Sequence, residues 1–226
     1  MAVVKVIRFL DGDAGDLRER WSRALSRGDA GAPYRVAVAT PVASADLPEP
    51  RFAAVDIQWF DGAEAALAQE RWLRSVDPEL GGAAWQVVAE ELVLRGQDYV
   101  RRRWEAGGPR YKMMSFGRRN PRLTAEEFST RWRDHAGQLG GERIPDDVRG
   151  LAYVQNHPLR VEGRTWPLDA INEVYVEDLG QLRRRYAYLA ARQAGQPGQG
   201  ADGLMSPTET WSMCVEEWPT TAKLRF

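Results

Sequence analysis

Trp85-Gln86-Val87-Val88-Ala89-Glu90-Glu91 recurs as Trp211-Ser212-Met213-Cys214-Val215-Glu216-Glu217, and this pair of segments decides how the 226-residue chain is read. Each starts on an aromatic residue and ends on Glu-Glu, and each reads as the strand that closes its half, with the recurring Glu-Glu pair part of the scaffold. Working outward, Ala54-Val55-Asp56 through Phe60-Asp61 is matched by Ala170-Ile171-Asn172 through Val176-Glu177. Arg20-Trp21 is matched by Arg131-Trp132, and Pro41 by Pro158. The separations drift from 111 to 126 residues, as expected when loops alone change length. The chain reads as an internal repeat.

The hydrophobic periods give each half the same elements. In the first, strands are expected over Val3 to Leu10, Tyr34 to Thr40, Phe52 to Phe60 and Trp85 to Leu94. Helices are expected around Leu17 to Leu25 and over Ala63 to Ser75. In the second, strands fall at Tyr111 to Arg118, Leu151 to His157, Ala170 to Val176 and Trp211 to Trp218, with a helix over Leu179 to Gln193. Ala194 to Pro207 reads as a loop. Thr124 with Glu127 three residues on is a capping box, in which two otherwise orphaned N–H groups are satisfied reciprocally. The helix behind it sets Phe128, Trp132, His135 and Leu139 on one face. Gly107-Gly108-Pro109 breaks helix and strand alike and marks a linker.

The order βαββαβ in each half is that of a ferredoxin-like unit, a four-stranded antiparallel sheet with two helices on one face. The other face is expected to be apolar and to need a cover. The fold expected is therefore α+β: two ferredoxin-like units fused in one chain, 1–106 and 107–226. Their sheets would pack face to face as a pseudo-dimeric α+β barrel, working as a monomer or associating further as a homodimer.

Composition excludes several classes. The charges nearly cancel, 31 basic against 32 acidic residues, so there is no basic surplus for neutralising nucleic-acid phosphates. One cysteine, Cys214, forms neither an intrachain disulfide nor a Cys-rich metal site. No stretch approaches a membrane span. The amino terminus lacks the marks of a signal peptide, so a soluble cytoplasmic protein is expected. Only three of the basic residues are lysines, and the runs Arg101-Arg102-Arg103 and Arg183-Arg184-Arg185 read as solvated faces.

Four segments of the second half carry a family likeness: Lys112-Met113-Met114-Ser115-Phe116, Leu123 through His135, Tyr153-Val154-Gln155-Asn156-His157-Pro158, and Asp169 through Val176. Together they resemble an EthD-type domain of the dimeric α+β barrel superfamily, over roughly residues 111 to 218. Gly137 stands where that family usually has proline. The superfamily includes cyclases, dehydratases, decarboxylases, isomerases, cofactor-free monooxygenases and haem-dependent peroxidases. The resemblance implies a pocket between sheet and helices, faced by the helix histidine.

Histidine exchanges protons near neutral pH, and this chain has only two, His135 and His157. Both fall in the family-like motifs, whereas the repeat puts Ala24 and Ala39-Thr40 at the corresponding places of the first half. That asymmetry points to one active pocket in the second half, with the first half structural. The other reading of His135 is a core histidine, and of His157 a turn residue. Trp132, Tyr153, Asn156, Tyr175 and Trp211 are the candidate substrate contacts; taken singly, each aromatic reads first as core, since aromatics dominate core burial, and Asn156 reads also as a strand-end hydrogen bond. Arg119 and Arg131 are candidate anion contacts. No phosphate loop, nucleophile elbow or zinc-binding helix is present. The expectation is acid–base chemistry without a cofactor or metal on a hydrophobic aromatic or polyketide-like molecule. Cofactor-free oxygenation of a phenol and non-catalytic binding are the alternatives. A haem would need one histidine as ligand.

Overall fold

β-Branched and apolar runs build eight strands: β1 (Val4–Leu10), β2 (Arg35–Pro41), β3 (Ala54–Phe60), β4 (Trp85–Arg95), β5 (Arg110–Arg119), β6 (Ala152–Pro158), β7 (Ala170–Val176) and β8 (Met205–Thr220). In the computed structural model, which describes residues 3–12, 15–27, 31–134, 144–195 and 203–220, these close into a single antiparallel barrel. The order around it is β1-β3-β2-β8-β5-β7-β6-β4. The first four strands thus lie side by side as β4-β1-β3-β2, and the last four, in the same relative order, as β8-β5-β7-β6. Two seams join the sets, β2 with β8 and β4 with β6. Closure leaves no unpaired edge to template aggregation.

Six helices accompany the strands among the described residues: α1 (Leu17–Ser26), α2 (Ala63–Val76), α3 (Gln97–Ala106), α4 (Ala125–Asp134), α5 (Asp146–Arg149) and α6 (Leu179–Gly195). Leu17, Trp21 and Leu25 of α1 and Leu73 of α2 pack on Val36, Val38 and Ala54, outside the barrel. Phe128 and Trp132 of α4 pack on Ala170 and Met205, and Leu182 of α6 on Met113 and Cys214. The expected capping box starts α4: Thr124 N donates to Glu127 Oε2 at 2.8 Å, and Glu127 N to Thr124 Oγ1 at 3.2 Å. None of the described helices is long and apolar enough to cross a membrane.

α3 was not anticipated, and it changes the reading of the barrel interior. Gly96 (φ 76°) turns the chain out of β4, and a Cβ there would lie 2.3 Å from Leu151 O, so only glycine fits. α3 then lays Trp104 edge-on to Trp59 at 5.0 Å between ring centres. Arg103, expected on a solvated face, is buried; it pairs with Glu217 and lies over the Trp104 and Tyr175 rings. In the second run Arg183 and Arg184 are exposed, but Arg185 is buried and donates to Val148 O at 2.7 Å. Composition could not separate the inward arginine of each run from its neighbours, because the helix face on which it falls is fixed by packing.

The faces enclosed by the barrel are apolar over only part of their length, a correction to the expectation of two apolar sheets covering each other. Phe9, Phe52, Trp85, Phe116 and Trp211 fill one end, with Phe116 and Trp211 stacked at 4.1 Å. Ile7, Ile57, Val87, Met114 and Ile171 continue the filling. Toward α3 the inward positions become ionic. Glu173 takes both Lys5 and Lys112, Lys112 also pairs with Glu217, and Lys5 Nζ lies 3.4 Å from Glu91. Three cations (Lys5, Lys112, Arg103) meet three carboxylates (Glu91, Glu173, Glu217). Such groups tolerate burial only when paired and hydrogen-bonded. Asn156 Nδ2, at 2.9 Å, and the Tyr175 hydroxyl, at 3.1 Å, add donors to Glu173. The Lys5 and Lys112 ammoniums hold the Glu173 carboxyl well below its ordinary value, despite the opposing effect of burial.

Candidate active site

Tyr153, Gln155 and His157 alternate along β6, so all three project outward beneath α4, while Ala152, Val154 and Asn156 project into the barrel. His157 is 6% exposed, and its ring lies 4.3 Å, centre to centre, from the Trp132 indole. Its tautomer follows from its neighbours. Gln155 Nε2 donates to Trp132 O at 2.8 Å and to the Tyr153 hydroxyl at 3.3 Å, so Gln155 Oε1 is the end that faces the imidazole. An amide oxygen only accepts, hence His157 Nε2 carries the proton in their 2.9 Å contact. Nδ1 is then an unprotonated acceptor for the Ser129 hydroxyl at 3.2 Å. The Tyr153 hydroxyl donates onward to Asn172 Oδ1 at 2.8 Å and closes the chain.

Ser129 and His157 open onto a cleft of about 480 Å³ between α4, the end of β5 and the loop joining β6 to β7. A smaller hollow shares Ser129 and Arg160 with it. Phe128, Leu159 and Leu168 give the cleft apolar wall, and Trp166 is fixed there by its Nε1 donating to Leu159 O at 2.7 Å. Its size and mixed lining suit a small organic ligand. Burial, with Arg133 adding repulsion, pushes the His157 imidazole down to about 4. At neutral pH it is therefore uncharged, with one lone pair available as a proton acceptor.

The structure splits the candidate residues into two groups. His157, Trp132 and Tyr153 come together on the outer face, although Tyr153 and Trp132 act as supports beneath the cleft. Asn156, Tyr175 and Trp211 lie inside the barrel, the first two in the Glu173 network and Trp211 in the aromatic end. The sheet stands between the groups, so no one pocket joins them. His135 lies outside the described residues. Arg119 borders the cleft, while Arg131 is exposed on α4. Cys214 is buried, which pushes its thiol up to about 12 and leaves it unreactive at neutral pH. Ser129 and Gln155 were missed, yet the period-2 pattern Tyr153-x-Gln155-x-His157 already put Gln155 with His157 and Asn156 opposite.

A haem ligand needs an imidazole nitrogen aimed into a cavity that can hold the macrocycle. His157 aims Nε2 at Gln155 and Nδ1 at Ser129, an arrangement that does not fit that role. Among the described residues no cluster of His, Cys, Asp and Glu is arranged to hold a metal ion.

No family model matches this sequence, and no curated protein matches it. Solved structures do. An anthrone oxidase-like protein superposes with a TM-score of 0.52 at 14% identity, covering 98% of this chain and 94% of that one. Two variants of chlorite dismutase from Candidatus Nitrospira defluvii give TM-scores of 0.52 and 0.51, each at 9% identity. They cover 97% and 96% of this chain, and 93% and 92% of theirs. At such identities the likeness is one of fold: an eight-stranded antiparallel barrel of the ferredoxin-like, dimeric α+β barrel type.

Proposed function

We propose that the chain is a cofactor-independent enzyme that moves a proton on a small aromatic or polyketide-like molecule held in the α4–β6 cleft. The observation that carries this reading is the aligned series Ser129, His157, Gln155, Tyr153, Asn172 ending at a partly apolar cleft. Nucleophile-or-relay, base and orienting group within hydrogen-bond reach of each other is the arrangement that proton-transfer sites require. His157 Nδ1 receives the proton, directly or through the Ser129 hydroxyl, and Gln155 Oε1 stabilises the resulting imidazolium by accepting from His157 Nε2–H. Returning the proton to a different atom gives isomerisation or cyclisation, and returning it to a leaving hydroxyl gives dehydration. His135, seven residues after Phe128 in the family-like motif, is the second candidate proton carrier.

The same reading includes an EthD-like second half, 107–226, carrying the site, and a duplicated ferredoxin-like first half, 1–106, that completes the barrel. The matching strand order of the two sets supports it, as do the matching inward pairs Lys5–Glu91 and Lys112–Glu217. Closure within one chain supports a working unit that needs no second copy. A second reading, oxygenation of a phenolic substrate without cofactor, is brought forward by the anthrone oxidase-like neighbour and would use the same cleft.

The test is conversion of a panel of aryl methyl ketones and aryl 1,3-diketones, followed by mass spectrometry with an oxygen electrode in the same cell. Products of unchanged oxidation level, lost in His157→Gln, are expected. Oxygen uptake matching turnover would favour the second reading, and turnover indifferent to His157→Gln would refute both.

A further inference from the structure

The chain as a whole carries a formal net charge of −1, yet the lining of the cleft is cationic: four arginines against two acids, a surplus of two positive charges. The surplus is built in. Arg118 and Arg119 share a single carboxylate, Asp169, at 3.3 and 2.6 Å. Both guanidiniums are also anchored to backbone carbonyls, Arg118 to Trp166 O at 2.7 Å and Arg119 to Leu123 O at 3.1 Å. One acid cannot neutralise two such groups. Arg164 lies over the Trp166 ring, 4.9 Å from its centre, and pairs with no carboxylate among the described residues. The remaining arginine, Arg160, has only a 3.9 Å exposed contact with Glu126. Guanidinium groups held in this way match the planar, two-oxygen face of a carboxylate. Phe128, Leu159 and the fixed Trp166 offer the apolar wall against which a flat ring packs.

We propose that the ligand of this cleft is an aromatic carboxylate, its ring against Trp166 and Phe128 and its carboxylate on the Arg118 and Arg164 guanidiniums. This rests on the cleft being the site described above, and it specifies the substrate class. Placing a negative charge there also opposes the repulsion from Arg133 that helps to keep His157 neutral, so binding would make His157 a better proton acceptor.

Because the chain has two histidines, the imidazole signals in an NMR titration can be assigned with the single variant His157→Gln. The full-length protein would be titrated with 2-naphthoate and, separately, with the uncharged 2-naphthylmethanol. The naphthoate should move the His157 signals and bind about ten-fold or more tightly than the alcohol, a gap that charge-assisted hydrogen bonds account for. Arg164→Gln, at an exposed position outside the Asp169 cluster, should narrow that gap without disturbing the fold, and Arg118→Gln with Arg164→Gln should close it. Equal binding of the two probes, with both moving His157, would overturn the anion preference and leave the cleft as the site. A preference that survives the double substitution would overturn the assignment to these arginines. No response of His157 to either probe would overturn this proposal and the proposed site together.

Discussion

His157 Nδ1 lies 3.2 Å from Ser129 Oγ, and the hydrogen-bond logic of Gln155 leaves that nitrogen without a proton of its own. A strand residue and a helix residue thus share one proton at the rim of a cleft. Removing the hydroxyl separates a relay from a spectator. Ser129→Ala should leave the fold within about 1 kcal/mol of wild type, since one hydrogen bond at a half-exposed position is lost. Catalysed proton exchange should fall by about ten-fold or more if the hydroxyl passes the proton on. Urea denaturation and exchange kinetics on the same preparation check both.

His157 also gives stability a pH dependence of known sign. Its folded value, about 4, is below the ordinary 6.5, because burial and Arg133 disfavour the charged ring. The unfolded chain therefore binds the proton first as pH falls, and stability present in full above pH 6.5 is lost down to about pH 4. The loss should be on the order of 2 kcal/mol, allowing for the ring's partial access to the cleft. Urea midpoints of wild type and His157→Gln at several pH values between these limits check it: the variant's dependence should be flatter.

Glu173 is the hinge of the ionic network, accepting from Lys5, Lys112, Asn156 and Tyr175. Glu173→Gln keeps the shape but removes the carboxylate that opposes the burial of Lys112, which burial already pushes down to about 7, and leaves both buried lysines to the remaining carboxylates. A loss of about 3–5 kcal/mol is expected, the usual consequence of removing one partner from a buried pair. The carboxyl's depressed value adds a second pH window: its contribution stands above about pH 4.5 and is lost as pH falls below that value. Glu173→Gln should lack this acid-induced loss. Thermal or urea unfolding of the two proteins at pH 7 and at pH 3.5 reads both effects.

Gly96 turns β4 into α3 at φ 76°, with Leu151 O 2.3 Å from where a Cβ would sit. Gly96→Ala should cost about 2 kcal/mol or more, from the strained backbone and the displaced Leu151–Ala152 segment. Hydrogen exchange should show the loss concentrated in α3 and in the adjoining strand β6.

Much of the barrel was legible because it depends on periodicity. The apolar run Val4–Leu10, bounded by Asp11-Gly12, and the run Ala152–Pro158, stopped by its proline, each read as a strand from local sequence, and the Thr124–Glu127 cap is a local arrangement that needs no tertiary help. α3 was not legible: its stretch is polar and rich in arginine, and its role comes from Arg103 and Trp104 meeting Glu217 and Trp59 across the barrel. The site was legible in part. The scarcity of histidine singled out His135 and His157 together, of which only His157 falls among the described residues, and the strand period would have set Asn156 on the face opposite His157. The pairing with Ser129 depends on how α4 is rotated over the sheet, which Phe128 and Trp132 fix by packing on Ala170, Leu204 and Met205.

The central claim, proton transfer at His157 in the α4–β6 cleft, is tested most directly by deuterium wash-in. Incubated in D₂O with 4-acetylbenzoate, whose methyl protons exchange slowly unaided, the wild-type protein should speed deuterium uptake into the methyl group. His157→Gln should lose about a hundred-fold or more of that acceleration while still binding the ketone. Equal acceleration by wild type and His157→Gln, or none by wild type despite a ketone bound against His157, would contradict it.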